Sequence, residues 1–227
     1  MSDSAGSPQH DEAPDEELTG NEAEIEARLL RVARTRQQAL RVTLEELATF
    51  YQNTERVEDW ERCLDRTVDL HEDANHQSGL LVMLGVTAER REDWDMAIRY
   101  YARSLSANPT DPDLAYFSHN NLGYCLNQLG DWEPAESYCR SALHVNPERH
   151  NAHKNLGLSL CGQGRYLEAA HSFIVATERQ PRDVRALAHL DDMIREHPDA
   201  FHGSPGLLAR ARELSQREPL PNGQSTG

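Results

Sequence analysis

The chain has 227 residues, 38% of them hydrophobic and 27% charged, enough for one sizeable core or a short solenoid. A formal charge of −15 argues against nucleic acid or an anionic membrane as partner, because both are bound by clustered cations. There is no basic-then-apolar leader and no apolar run near the roughly 20 residues of a bilayer span, so a cytoplasmic protein is expected.

Residues 1–20 are rich in Ser, Gly, Pro and acids and are expected to be a disordered acidic tail. Residues 1–27 hold nine of the 38 acids and no Lys or Arg, leaving 29 acids against 23 bases over the rest. An N-terminal helix is expected over 21–43. Ile25, Leu29, Val32, Arg36, Leu40, Thr43, Leu47 and Phe50 fall at spacings of three and four, a mostly apolar stripe that fits one long helix or two. Such a stripe is a candidate for self-association, or for folding back along the rest of the chain.

From residue 78 onward the chain repeats itself. Leu84-Gly85, Asp93-Trp94, Ala97, Tyr101, Ser104 and Pro109 recur as Leu122-Gly123, Asp131-Trp132, Ala135, Cys139, Ala142 and Pro147. They recur again as Leu156-Gly157, Arg165-Tyr166, Ala169, Phe173, Ala176 and Pro181. Gly130 and Gly164 precede the second and third turns, where the first copy has Glu92. Pro147 and Pro181 are 34 residues apart and Pro109 and Pro147 are 38 apart, with Thr110–Asp113 as the natural insertion. Each mark has a physical role. Glycine and alanine let paired helices approach, turn glycines supply left-handed backbone, the aromatics fill the gap between helices, and proline stops the second helix.

This pattern resembles the tetratricopeptide repeat, a helix–turn–helix unit of about 34 residues. The resemblance implies an all-α, right-handed solenoid of antiparallel helix pairs, with an N-terminal helix and a C-terminal helical cap. Repeats are expected at 78–115, 116–149 and 150–183. A degenerate one is expected at 44–77, where Asp59-Trp60 lies 34 residues before Asp93-Trp94 and Phe50-Tyr51 replaces Leu-Gly. A cap is expected at 184–217, with Asp183 starting its first helix and Leu187, Leu190 and Ile194 forming an apolar face. A disordered tail is expected over 218–227.

The resemblance also implies a function. In this family the first helices of the repeats line a groove that receives a peptide or a helix. Asn121 and Asn155 share the position before Leu-Gly, where Met83 stands in the first repeat. An amide there offers both a donor and an acceptor to a peptide backbone. Neighbouring groove positions are Val82, Val86, Phe117, Asn120, Tyr124, Gln128, Asn151, Lys154 and Leu158. The family's chaperone-binding subclass uses lysines and an arginine to clamp a carboxylate. Val82, Asn151 and Asn155 occupy those positions here, which argues against that version.

Other chemistries have little support. Cys63, Cys125, Cys139 and Cys161 form no CxxC pair and are expected to be reduced packing residues. Among 11 histidines, His119 and His153 occupy equivalent repeat positions and His150 lies one turn from His153, but no metal-binding motif accompanies them. Packing is the expected role, with neither metal nor cofactor. Nucleophile elbow, phosphate loop and dinucleotide fingerprint are all missing. The sequence therefore points to a non-catalytic scaffold or adaptor that binds a protein segment. A dedicated chaperone for a secreted or assembling protein is the main alternative, and a metal-binding or enzymatic protein the weaker one.

Overall fold

A computed structural model of the protein describes residues 20–216, with side chains from Ala23 onward. The acidic stretch 1–19 and the tail from 217 lie outside the described residues. All regular structure among the described residues is helical. The order is α1 (Gly20–Asn53), α2 (Val57–Val68), α3 (Ala74–Arg90), α4 (Trp94–Ser106), α5 (Pro112–Leu129), α6 (Trp132–Val145), α7 (His150–Gly162), α8 (Tyr166–Arg179) and α9 (Val184–Glu196). A short 3-10 turn (Pro198–Phe201) and α10 (Pro205–Ser215) follow. The chain divides into two compact units at Thr43/Leu44.

The first unit contains the N-terminal part of α1. No glycine or proline interrupts the helix between its first residue and Asn53, so it passes residue 43 without a break. Every side chain from Ala23 to Leu40 is exposed, including Ile25, Leu29, Leu30 and Val32 of the apolar stripe.

The second unit is a stack of antiparallel helix pairs: α3 with α4, α5 with α6, and α7 with α8. Each pair packs on the next, and the first helices α3, α5, α7 and α9 also touch in sequence along one side. The helix crossings are set by the repeat marks. A side-chain carbon placed on Gly157 would lie 2.6 Å from the buried Phe173 ring, so the two helices meet at a distance only glycine permits. Gly85 against Tyr101 and Gly123 against Cys139 repeat the same contact. Ala97, Ala135 and Ala169 are fully buried where the helices cross. The core falls into two main clusters, one with Leu44, Trp60, Leu64, Leu84, Tyr101 and Leu122, the other with Leu156, Phe173, Leu190 and Phe201.

The turns follow the sequence with two differences. Gly130 (φ 81°) and Gly164 (φ 74°) take the left-handed backbone that closes the preceding helix, and Glu92 takes it at φ 58° where the first copy lacks glycine. Asp93 caps α4 through the backbone N–H of Met96 at 3.2 Å, whereas Asp131 stands at the equivalent position without a side-chain bond. In the degenerate repeat the left-handed residue is Glu55, and α2 begins at Val57, ahead of Asp59-Trp60. The indole of Trp60 still reaches the core. The insertion at Thr110–Asp113 lengthens α5 at its start, with Pro112 in its first turn and Asp111 accepting from Asp113 N–H at 2.8 Å. Asn75 holds this loop, accepting from the N–H groups of Thr110 (2.8 Å) and Asp111 (3.0 Å).

Candidate functional site

The aligned first helices create a polar cleft of about 210 Å³ lined by Glu89 (α3), Asn120, Asn121 and Tyr124 (α5), Asn151, Lys154 and Asn155 (α7), and Arg185 (α9). Six of the eleven residues expected from the sequence meet here. The helical repeat brings them together, since residues at one position of successive first helices face the same side.

Hydrogen bonds run across the cleft floor from repeat to repeat. Tyr101 hydroxyl donates to Glu89 Oε2 (2.9 Å), and Asn121 Nδ2 donates to the same hydroxyl oxygen (3.2 Å). Asn120 Nδ2 donates to Asn121 Oδ1 (2.9 Å), and Asn155 Nδ2 donates to Asn120 Oδ1 (3.1 Å). Behind them Asn127 Nδ2 donates to the Asn155 backbone oxygen (2.9 Å) and Ser159 hydroxyl to Asn127 Oδ1 (2.8 Å). The two asparagines expected to face a ligand therefore differ. Asn155 is buried with its NH₂ committed inside the protein, while Asn121 is half-buried at the cleft wall. Asn155 Oδ1 has no hydrogen-bond partner among the described residues.

The remaining expected residues lie outside the cleft. Val82 and Val86 pack against the upstream core and Leu158 against the downstream one, each half-buried. Gln128 is exposed. Phe117 is exposed on its own side of α5, with Arg149 guanidinium stacked 4.9 Å from the ring centroid and Tyr116 edge-on at 5.6 Å. Tyr124 leans on Trp94, edge to face at 5.9 Å. Glu89 and Arg185 complete the cleft, although the repeat marks do not single them out. Their signal is charge at the two ends of the α3–α9 row.

The electrostatics of the cleft are uneven. Lys154 is only 7% exposed, and among the described residues no hydrogen bond or ion pair reaches its ammonium. Burial lowers its pKa, the positive charge of Arg185 adds to that, and Asp183 and Glu89 oppose it. Burial likewise raises the Glu89 carboxyl against the Tyr101 hydrogen bond and the nearby cations. Arg185 holds Asp183 well below the usual carboxylate range through two side-chain contacts of 2.8 and 2.6 Å, against the opposing effect of burial. Asp183 also caps α9 through Arg185 N–H at 3.1 Å. Of the cations in the cleft, Arg185 thus has a carboxylate in direct contact and Lys154 does not.

Burial works against thiolate and phenolate nucleophiles at these positions. Burial pushes the Cys125 and Cys139 thiols up to about 12, and Tyr101 and Tyr124 are also raised by burial. The three histidines singled out by position go to separate partners. His119 sits 6.1 Å from the Tyr138 ring, His153 Nε2 meets the Pro147 carbonyl at 2.8 Å, and His150 Nε2 lies 3.2 Å from Asp183 Oδ2. No described helix is long and apolar enough to cross a membrane.

Comparison with known proteins points the same way. A family model described as tetratricopeptide repeat matches residues 80–115. The human protein O-mannosyl-transferase TMTC3 is 26% identical over 132 residues, covering 58% of this chain and 14% of that protein. The chain therefore spans about a seventh of the length of that relative. Among solved structures, the protein MamA superposes with a TM-score of 0.61 at 15% identity, covering 80% of this chain and 98% of that one. YrrB, described as a tetratricopeptide-repeat protein with an unusual peptide-binding site, superposes with a TM-score of 0.54 at 20% identity over 74% and 82% of the two chains.

Proposed function

Because this chain is a tetratricopeptide-repeat protein, we propose that it is a non-catalytic scaffold that holds an extended segment of a partner protein in the cleft across α5 and α7. The observation that carries this reading is Lys154. Its side chain is largely buried while its ammonium opens to the cleft, and among the described residues no counter-ion touches it, so a carboxylate or backbone carbonyl from a partner segment can pair with it there. Asn151 at the wall presents an amide that satisfies a peptide backbone, Asn121 has one N–H and one lone pair left beyond its bonds to Tyr101 and Asn120, and Tyr124 offers a half-buried ring for a side chain to pack on. The neighbouring Arg185 extends the positive end of the cleft. The preferred segment therefore carries an acidic residue.

Peptides selected from a random displayed library on the full-length protein test this. Lys154→Met and Arg185→Ala should each weaken the selected peptides by about tenfold, a loss of roughly 1.4 kcal/mol. Gln128→Ala, outside the cleft, should leave affinity within about twofold. Equal affinity in all three variants rejects the cleft.

A second reading concerns self-association, and the exposed stripe of α1 supports it. Ile25, Leu29, Leu30 and Val32 are each more than two-fifths exposed on one short stretch of helix, a larger apolar surface than isolated exposed side chains present. We propose that this stripe pairs with a second copy of the chain.

A further inference from the structure

A second cluster of chemically capable side chains lies away from the cleft, where α1, the α2–α3 turn and the start of α3 come together. Glu45 is in the C-terminal part of α1, His71 in the turn after α2 and His76 in the first turn of α3. One ligand atom from each lies within 4.8 Å of those of the other two. His71 Nε2 stands 3.3 Å from Glu45 Oε1. Two donors bound about 2.1 Å from one tetrahedral ion stand roughly 3.4 Å apart, so this pair already has the spacing of two ligands on a shared ion.

We infer that Glu45, His71 and His76 form a binding site for a divalent transition-metal ion of the zinc class. The donor set, two imidazoles and a carboxylate, suits zinc, cobalt and nickel, and leaves at least one position on the ion for water. The turn holds both histidines in place. Gln77 Nε2 donates to the His71 backbone oxygen at 2.6 Å, and Asp73 accepts from the N–H groups of Asn75 and His76 at 3.2 and 3.3 Å. His71 is buried, which fixes its ring, while His76 is exposed and leaves the ion a route in from solvent. The two imidazoles stack with centroids 3.9 Å apart and planes 27° from parallel. In this stacked arrangement the in-plane lone pairs of the two rings do not converge, so the exposed His76 side chain turns about its own torsions to bring its nitrogen to an ion held by His71 and Glu45. The ion then ties α1 to the next helix pair.

The test uses the full-length chain without a histidine tag, stripped with a chelator. Zinc is titrated by calorimetry and cobalt by its visible d–d absorption. One ion per chain is expected, with a cobalt spectrum of a four- or five-coordinate site and a zinc-dependent rise in Tm. His76→Ala and Glu45→Gln should each weaken binding by at least the 10–100-fold, roughly, that loss of a ligand's supporting hydrogen bond costs. Because His76 is exposed, its variant should keep the metal-free Tm of the parent. His119→Ala and His153→Ala should bind as the parent does. Absence of stoichiometric binding overturns the inference. So does zinc affinity in His76→Ala and Glu45→Gln equal to that of the parent.

Discussion

Glu92 occupies the left-handed backbone that Gly130 and Gly164 occupy in the next two repeats. A residue with a Cβ pays about 1–2 kcal/mol there, so Glu92→Gly should stabilise the protein by roughly 0.5–1 kcal/mol after the ~0.4–1 kcal/mol of added freedom of the unfolded chain is subtracted. A higher urea midpoint at unchanged m would register it. Gly157→Ala should act the other way by about 1–3 kcal/mol, because its methyl group meets the buried Phe173 ring. Both sites are legible in the sequence, since the repeat alignment alone marks one as a missing glycine and the other as a required one. Glu89 is different: its environment is built by Tyr101 on the following helix and is visible only in the fold. Burial raises its carboxyl pKa, so the folded chain binds that proton more tightly than the unfolded chain. The contribution of Glu89 to stability is complete below the unfolded value of 4.5 and is lost as pH rises through the folded value. Glu89→Gln, which still accepts from Tyr101, should therefore gain stability over the parent at neutral pH and not near pH 4, as paired urea melts at the two pH values would record.

At the scale of elements, the apolar spacing of α1 fits one long helix or two, and the structure has one. Apolar residues continue at helical spacing through Phe50, and no glycine or proline stops the chain, so a single helix runs to Asn53. The turn of the degenerate repeat has its left-handed residue at Glu55, ahead of the position that lies 34 residues before Glu92. The later elements follow their marks more closely: the start of α9 is set by Asp183, and the longer α5 by Asp111-Pro112. If the exposed stripe pairs two copies, light scattering should give a dimer for the full chain and a monomer for a chain lacking residues 1–40. A dimer that survives the deletion would place the contact elsewhere.

Over the whole molecule, the cleft depends on a regular repeat carrying irregular residues. Repeat position was enough to bring Asn120, Asn121, Tyr124, Asn151, Lys154 and Asn155 together, because each turn of the stack presents the same helix face. It was not enough to separate wall from floor. The Asn155 NH₂ is taken up by Asn120, and Phe117 is turned toward Arg149, and both outcomes depend on side-chain partners one repeat away. Arg185 joins from a helix that lacks the repeat marks. In the proposed function, Lys154 combines a structural cost with a binding role. Its pKa is lowered by burial, so the folded state is penalised at neutral pH, and the penalty fades as pH rises toward the unfolded value of 10.5. Lys154→Met should thus match or exceed the parent in stability while losing its ligand, a split expected of a binding residue and not of a packing one.

Site-specific photo-cross-linking in the source cells tests the central claim most directly. A benzophenone side chain at Tyr124, in the cleft, is compared with one at Ser137, exposed on α6. The account predicts one dominant protein adduct from position 124, its loss in the Lys154→Met background, and no such adduct from position 137. The same adduct from position 137, or its persistence with Lys154→Met, would contradict it.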